Sequence, residues 1–520
     1  MKLKPILLCA AILFGMAIGP AQSAGAKPNT HTTVTEAVQV TPDPNPTRDH
    51  IDPQIARDPK TGALVDVEAD LRGPRDCVVH ISTDGGQSWT VGGVPLVAPN
   101  TDCTSNSEYG PYFSLAFDRD GVLDIAIEAS DPADVENVRN DAPRSIFLAR
   151  STDDGRTFIT TKAFQGVMGD TNRSENKGTT IAVDPTNPNY IYIGWRQGAF
   201  GATAPMKLRP VIASTADGGR TWGAPVDVSD ARGGDYPHEA VTADGILHVA
   251  YWTRAFPAPA SNQPTPVLPI LIVNSTDHGK TFSKGTVIDP GNQRYEFPPV
   301  IAADPNSGAL YVTWSGNADP MNKATGFVGD LDIFFRSSTD GGKTWSDRKV
   351  LNDDTGVNQN HMAPGMAIAP NGRIDVAWYD GRLSPSPVVD DTEKGFNDVY
   401  ATSSFDGGKT FTANVRVTDR SSDRSIGVFT NNVDQRINVG VASSNDAMFA
   451  SWQDSRNGNA VTQAEDAYEA SVNFDNSYVP PLHKSRSVPG WLIFAAGCVL
   501  GIGLTAAVAG ILLRRSEVHP

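Results

Sequence analysis

One eight-residue phrase recurs six times along the 520-residue chain and constrains its fold more than any other feature. The copies run Ser82 to Trp89, Ser151 to Phe158, Thr215 to Trp222, Ser275 to Phe282, Ser338 to Trp345 and Ser404 to Phe411, each of the form S/T-x-D-x-G-x-x-W/F. Their aspartates, Asp84, Asp153, Asp217, Asp277, Asp340 and Asp406, are 69, 64, 60, 63 and 66 residues apart. A fixed period of that size marks a chain built from repeated supersecondary units. Within each copy the Asp side chain is expected to accept a backbone N–H two residues on. The Gly two places later takes a positive φ without a Cβ clash. The terminal Trp or Phe buries a large ring and pins the turn to its own unit.

The units share one order. An apolar strand runs into a D-P-type turn, as at Ile181 to Pro185 and Ile301 to Pro305. An alternating strand follows and often ends in Trp, as at Tyr190 to Trp195, Leu247 to Trp252 and Ile374 to Trp378. A third strand leads into the repeated phrase, and a short fourth closes the unit. First strands begin near Ile55, Leu115, Ile181, Ala240, Ile301, Met366 and Val439, which makes seven units. The seventh, through Ala447 to Trp452 and Asp466 to Phe474, lacks the phrase and a fourth strand. Glu36 to Thr41 matches Ala413 to Thr418 in character. The prediction is an all-β propeller of seven four-stranded blades, six carrying the phrase. Residues from about Thr32 to Val40 would close the last blade, leaving no open strand edge.

The ends read as targeting segments. Lys2 and Lys4 precede an apolar stretch from Ile6 to Ile18, and Ala21-Gln22-Ser23 or Ala24-Gly25-Ala26 offers a small-residue cleavage site, so residues 1–26 read as a signal peptide. The propeller would occupy 27–475 and a stalk 476–490. Trp491 to Leu513 is uncharged and long enough to span a bilayer as one C-terminal transmembrane helix, and Arg514-Arg515 favours a cytoplasmic tail over 514–520. The expectation is a propeller outside the cell, anchored in the membrane. In that oxidising compartment Cys77 and Cys103 would form a disulfide. The formal net charge of −16 argues against nucleic acid and anionic lipid as partners. No cofactor motif occurs. Asp353-Asp354 and Asp390-Asp391 are candidate Ca²⁺ spots, with solvated loop acid as the plainer reading.

The recurring phrase resembles the Asp box, or bacterial neuraminidase (BNR) repeat, of the sialidase-like superfamily. The resemblance implies that the six boxes are scaffold, on the face opposite the ligand. It also implies a site at the axis, built by blade-joining loops and by loops between second and third strands. Here those loops carry Arg48, Asp49, His50 and Asp52, then Tyr236, His238 and Glu239, then Arg294-Tyr295-Glu296, with Arg254, Arg382 and Arg436 further along. Sialidases hold the substrate carboxylate with three arginines, attack with a Tyr paired to a Glu, and use an Asp as acid/base. By that resemblance Tyr236 with Glu239, or Tyr295 with Glu296, fills the Tyr/Glu role. Arg254, Arg294, Arg382 and Arg436 could bind substrate, and Asp49 or Asp52 could be the acid. The F/Y-R-I-P string of sialidases does not occur, and sialidases have six blades.

Arg382 also has a structural reading. Trp378-Tyr379-Asp380-Gly381-Arg382, followed by Asp398, parallels Trp452-Gln453-Asp454-Ser455-Arg456, followed by Asp466. A motif present in two blades suggests an Asp–Arg–Asp brace rather than a unique catalytic group. Two functions remain open: a glycan-directed propeller, possessing or lacking exo-glycosidase activity such as that of an exo-α-sialidase, and a non-catalytic protein-binding platform like the Asp-box propellers of sortilin-type receptors.

Overall fold

The computed structural model describes residues 32–71, 77–96, 113–130, 144–166, 174–199, 208–253, 269–290, 298–317, 331–354, 360–384, 395–427 and 438–475. They form seven antiparallel sheets, the blades of a propeller. The inner strands, nearest the axis, are His50–Arg57, Phe113–Phe117, Ser174–Val183, Asp235–Val241, Val300–Ala303, His361–Ile368 and Gly440–Ser443. Among the described residues no helix is long and apolar enough to cross a membrane. The signal and anchor segments lie outside those residues.

The ring closes as the sequence suggests. Blade 7 takes its outer strand from the start of the chain: Thr32–Val34 pairs with Val472 to Phe474, and Val38–Gln39 with Tyr468 and Glu469. The outer edge of Asp466–Phe474, which would otherwise template aggregation, is thereby covered.

Blade cores lie between sheets more than within them. One apolar cluster joins Val65 and Val67 of blade 1 to Leu123 and Ile125 of blade 2, and others repeat the arrangement around the ring. Trp195, Trp314, Trp378 and Trp452 are fully buried, within second strands that run on past them to Ala199, Asn317, Asp380 and Asp454. Trp195 Nε1 donates to Asn176 Oδ1 at 3.0 Å, and Trp378 and Trp452 donate to Asp380 and Asp454 at 2.9 Å. Burying an indole requires such a partner.

The recurring phrase folds by one bonding scheme in all six copies. In blade 3 the Thr215 hydroxyl donates to Asp217 at 2.8 Å and accepts from Gly219 N at 3.1 Å. Asp217 also accepts from the Thr221 amide at 2.9 Å and hydroxyl at 2.7 Å. The Asp therefore clasps the residue four positions on, where the sequence reading expected two. The glycines behave as expected, with φ of 79–89° at Gly86, Gly155, Gly219, Gly279, Gly342 and Gly408. A second reason for glycine is packing. A Cβ at Gly219 would lie 2.4 Å from Leu148 of blade 2, and one at Gly408 would lie 2.5 Å from Phe335 of blade 5. The phrase is thus a latch onto the preceding blade. Its rings join the same joints: Trp222 packs with blade 2, and Phe411 with blade 5.

Candidate functional site

Register separates the two faces of the ring. In blade 4 Val241 pairs with Leu247 and Leu247 with Ser275 at the latch end, while Asp235, Trp252 and Ile270 align at the other. The starts of the inner strands therefore lie opposite the six latches, and of the predicted site residues Asp49, Asp52 and Tyr236 stand at such starts.

Four of these starts carry the same irregularity. The ladder shifts after Ile51, Lys177, Asp235 and Met362. Within each shift one residue is left-handed: Asp52 (φ 57°), Gly178 (72°), Tyr236 (41°) and Ala363 (54°). Three of them precede proline. A positive φ is a genuine outlier for a residue as bulky as Tyr, and such strain persists only where surroundings enforce it. For Tyr236 the enforcement is visible. Its ring lies over Gly178, where a Cβ would sit 2.4 Å from Tyr236 Cδ1. The Arg196 guanidinium is 4.8 Å from the ring centroid and the Trp252 ring 6.1 Å. Arg196 is itself paired with buried Asp235 at 3.3 Å.

The bulges re-aim side chains. In three of the four, the residue two places after the left-handed one turns to the axis, which brings Gln54, Thr180 and His238 to a common pit with Ser114, Tyr236 and Asn438. Hydrogen bonds belt these blades together. Gln54 Nε2 donates to Asn438 O at 2.8 Å, Thr180 Oγ1 to Pro237 O at 3.0 Å, and Gly178 N to Glu128 Oε2 at 2.9 Å. The pit volume is about 50 Å³, room for a ring substituent or one ring edge. Burial lowers the His238 imidazole to about 4, so it is neutral at physiological pH and offers one donor and one acceptor. No arginine, aspartate or glutamate occurs among the described lining residues.

Of the predicted site residues, Tyr236 lines this pit. Glu239, three residues on, faces the joint between blades 3 and 4. A Cβ at Gly194 would meet its carboxylate. Burial raises the Glu239 carboxyl to about 8 against hydrogen bonding from Thr180, so it is an uncharged acid at pH 7. Asp52 is buried in the first bulge, and Asp49 is buried and bridged to Glu465 beside the closing seam. Tyr295, Glu296, Arg254, Arg294 and Arg436 lie outside the described residues. Cys77 is disulfide-bonded, and its predicted partner Cys103 is also outside them.

Arg382 forms a brace. It meets Asp380 at 2.8 Å, Asp353 at 2.9 Å and Asn414 Oδ1 at 3.0 Å, and stacks 4.1 Å from the Tyr400 ring centroid. Arg456 repeats this with Asp454 at 2.8 Å, Asp419 at 2.7 Å and Tyr468. The distal acid is a correction to the sequence reading. It comes from the segment after the preceding blade's outer strand, whereas Asp398 takes Arg416 and Asp466 takes Arg48. Asp354 completes the knot at 3.0 Å from His361 Nε2. The Asp353-Asp354 pair is therefore engaged by protein cations, and Asp390-Asp391 lies outside the described residues.

The sequence reading singled out Tyr236 and His238 of this lining and passed over Gln54, Ser114, Thr180 and Asn438. Asp52-Pro53 and Tyr236-Pro237 mark two of the bulges, but Pro favours an extended preceding residue, so the left-handed turns there were not readable from the pairs.

Fold and site together define an all-β, seven-bladed propeller with an axial polar pit on the face opposite its latches. No protein-family model matches the chain. It is 28% identical over 256 residues to a xyloglucanase of Hypocrea jecorina (strain QM6a), covering 46% of this chain. It spans only 28% of that protein's length. Among solved structures it is similar to the α-L-arabinanase of Penicillium chrysogenum complexed with arabinobiose, at 14% identity and TM-score 0.46 over 67% of this chain and 94% of the other. It is also similar to the α-L-arabinofuranosidase of Fusarium graminearum, at 14% identity and TM-score 0.44 over 71% and 98%.

Proposed function

We propose that the protein is an extracellular, membrane-anchored glycan-directed propeller that takes one edge of a sugar at its axial pit. The observation that carries this reading is the convergence of Gln54, Ser114, Thr180, His238 and Asn438 from five blades onto one point. Uncharged donors and acceptors held by a rigid belt suit the hydroxyls of a saccharide, and Tyr236 offers an aromatic wall. The local identity to a xyloglucanase points to the same ligand class. The neutral lining favours an uncharged sugar unit over the anionic one that a sialidase takes. With Arg382 held by Asp380 and Asp353, a sialidase-type arginine cluster would have to come from Arg254, Arg294 and Arg436.

The test is a glycan array together with fluorogenic glycosides, including a sialoside, an arabinofuranoside and a xyloside, on the purified full chain. Binding or turnover that falls at least tenfold in His238→Ala and Gln54→Ala supports the reading. Folded protein that ignores every sugar overturns it.

A second reading, a protein-docking platform, is favoured by one surface. Val91, Val94 and Ile159 are 68%, 56% and 78% exposed on the outer edges of adjoining blades 1 and 2. Capture of one protein partner that Val91→Asp with Ile159→Asp abolishes would establish it.

A further inference from the structure

The seam where the ring closes holds a cluster outside the pit. Asp43 lies on the segment linking the closing strand Val38–Gln39 to blade 1. His50 opens the inner strand of blade 1, and Asp70 ends the next strand directly opposite it. One donor atom from each of the three lies within 4.8 Å of the others. Two aspartates beside each other would signify little alone. The imidazole supplies an independent observation. The His50 side chain is 4% exposed, yet neither ring nitrogen has a hydrogen-bond partner. An imidazole buried in that state is costly unless something else engages it.

Its orientation is that of a ligand. Nε2 faces Asp43 Oδ2 at 3.7 Å, while Nδ1 faces the buried Glu68 Oε1, also at 3.7 Å. Glu68 Oε1 also lies 2.7 Å from His80 Nδ1. An acidic group thus stands behind one ring nitrogen while the other is aimed at a cluster of oxygens, and a short approach of Nδ1 to Glu68 would complete the usual setting of a metal-bound histidine. Asp43 is likewise arranged: Oδ1 accepts the Asn45 amide at 2.8 Å, which leaves Oδ2 turned to the imidazole.

We infer that Asp43, His50 and Asp70 form a site for a divalent transition cation of the zinc class, tying the N-terminal closing segment to blade 1. One nitrogen and two carboxylates suit zinc, with water at the open position. Donors on one zinc lie roughly 3–4 Å apart, so the cluster closes on the ion by small side-chain rotations.

The experiment uses the purified full chain, stripped with EDTA and titrated with Zn²⁺ by calorimetry and in thermal melts. The expected result is one saturable equivalent and a Tm raised by several degrees. Asp43→Asn, whose side chain is partly exposed, should leave the metal-free Tm unchanged and weaken Zn²⁺ binding at least tenfold. His50→Gln should abolish binding. No saturable Zn²⁺ binding by folded wild-type protein overturns the inference. So does affinity unchanged in Asp43→Asn, or saturation by Ca²⁺ but not Zn²⁺.

Discussion

His361 offers a stability switch whose size follows from its surroundings. It is buried at the joint of blades 5 and 6. Nδ1 donates to Leu331 O at 2.6 Å, Nε2 pairs with Asp354 at 3.0 Å, and Asp380 is 3.6 Å away. Burial alone would lower its pKa. The Asp380 and Asp354 carboxylates outweigh burial and lift it to about 9. The folded protein thus holds this proton more tightly than the unfolded chain, where the value is near 6.5. The stabilisation is complete below about pH 6.5, declines as pH rises, and is gone above about 9. Each tenfold change in proton affinity is worth ~1.4 kcal/mol, so the shift to about 9 corresponds to ~3 kcal/mol. The low Asp354 carboxyl, near 2, is the same contact seen from the acid and adds nothing further.

The assay is urea unfolding of wild type and His361→Gln from pH 6 to 9.5, followed by fluorescence of the buried tryptophans. Glu239 and Glu469, both raised to about 8 by burial, also lower stability as pH rises. That slope is common to both proteins and cancels in their difference. Wild type should exceed the variant by ~3 kcal/mol at pH 6, and the gap should close by pH 9.5. A gap that stays constant with pH would refute the charged-histidine argument.

Three further outcomes are expected. Arg373→Met should cost ~3–5 kcal/mol in unfolding free energy, because Arg373 holds buried Asp375 at 2.9 Å and the Ser444, Asn445 and Ala447 carbonyls of blade 7; a loss under ~1 kcal/mol would dismiss this joint. Gly178→Ala should cost at least ~1 kcal/mol and displace the Tyr236 ring, lowering Tm and any sugar affinity together. Asp217→Asn should lower Tm while leaving sugar affinity unchanged, since its latch lies on the far face; an affinity loss equal to that of His238→Ala would contradict the separation of the two faces.

The architecture was legible because it is written in period and alternation. Seven inner strands, the missing strand of blade 7 and its replacement by Glu36 to Thr41 all follow from counting. Side-chain partners across blades were less legible. Trp378-x-Asp380-x-Arg382 announced a brace, but the distal acid is Asp353 rather than Asp398, because sequence spacing cannot tell which blade's outer loop reaches over. The pit was least legible. Tyr236 and His238 stood in a cluster the sequence marked, but Gln54 and Thr180 are ordinary residue types that only bulges at positive φ turn to the axis. Among the described positions singled out in the sequence, Glu239 and Arg382 prove to sit at joints between blades, where buried charges require partners.

The pairing of Thr32 with Phe474 sets an order of events during synthesis. Of the described strands, the first to leave the ribosome is paired with the last to be made. Until Asp466–Phe474 emerges, Thr32–Gln39 stays a bare edge, and blades 1 to 6 form an open arc rather than a circle. Open edges of that kind recruit foreign strands. A ribosome that stops short of the seventh blade releases a product that cannot make this closing pairing.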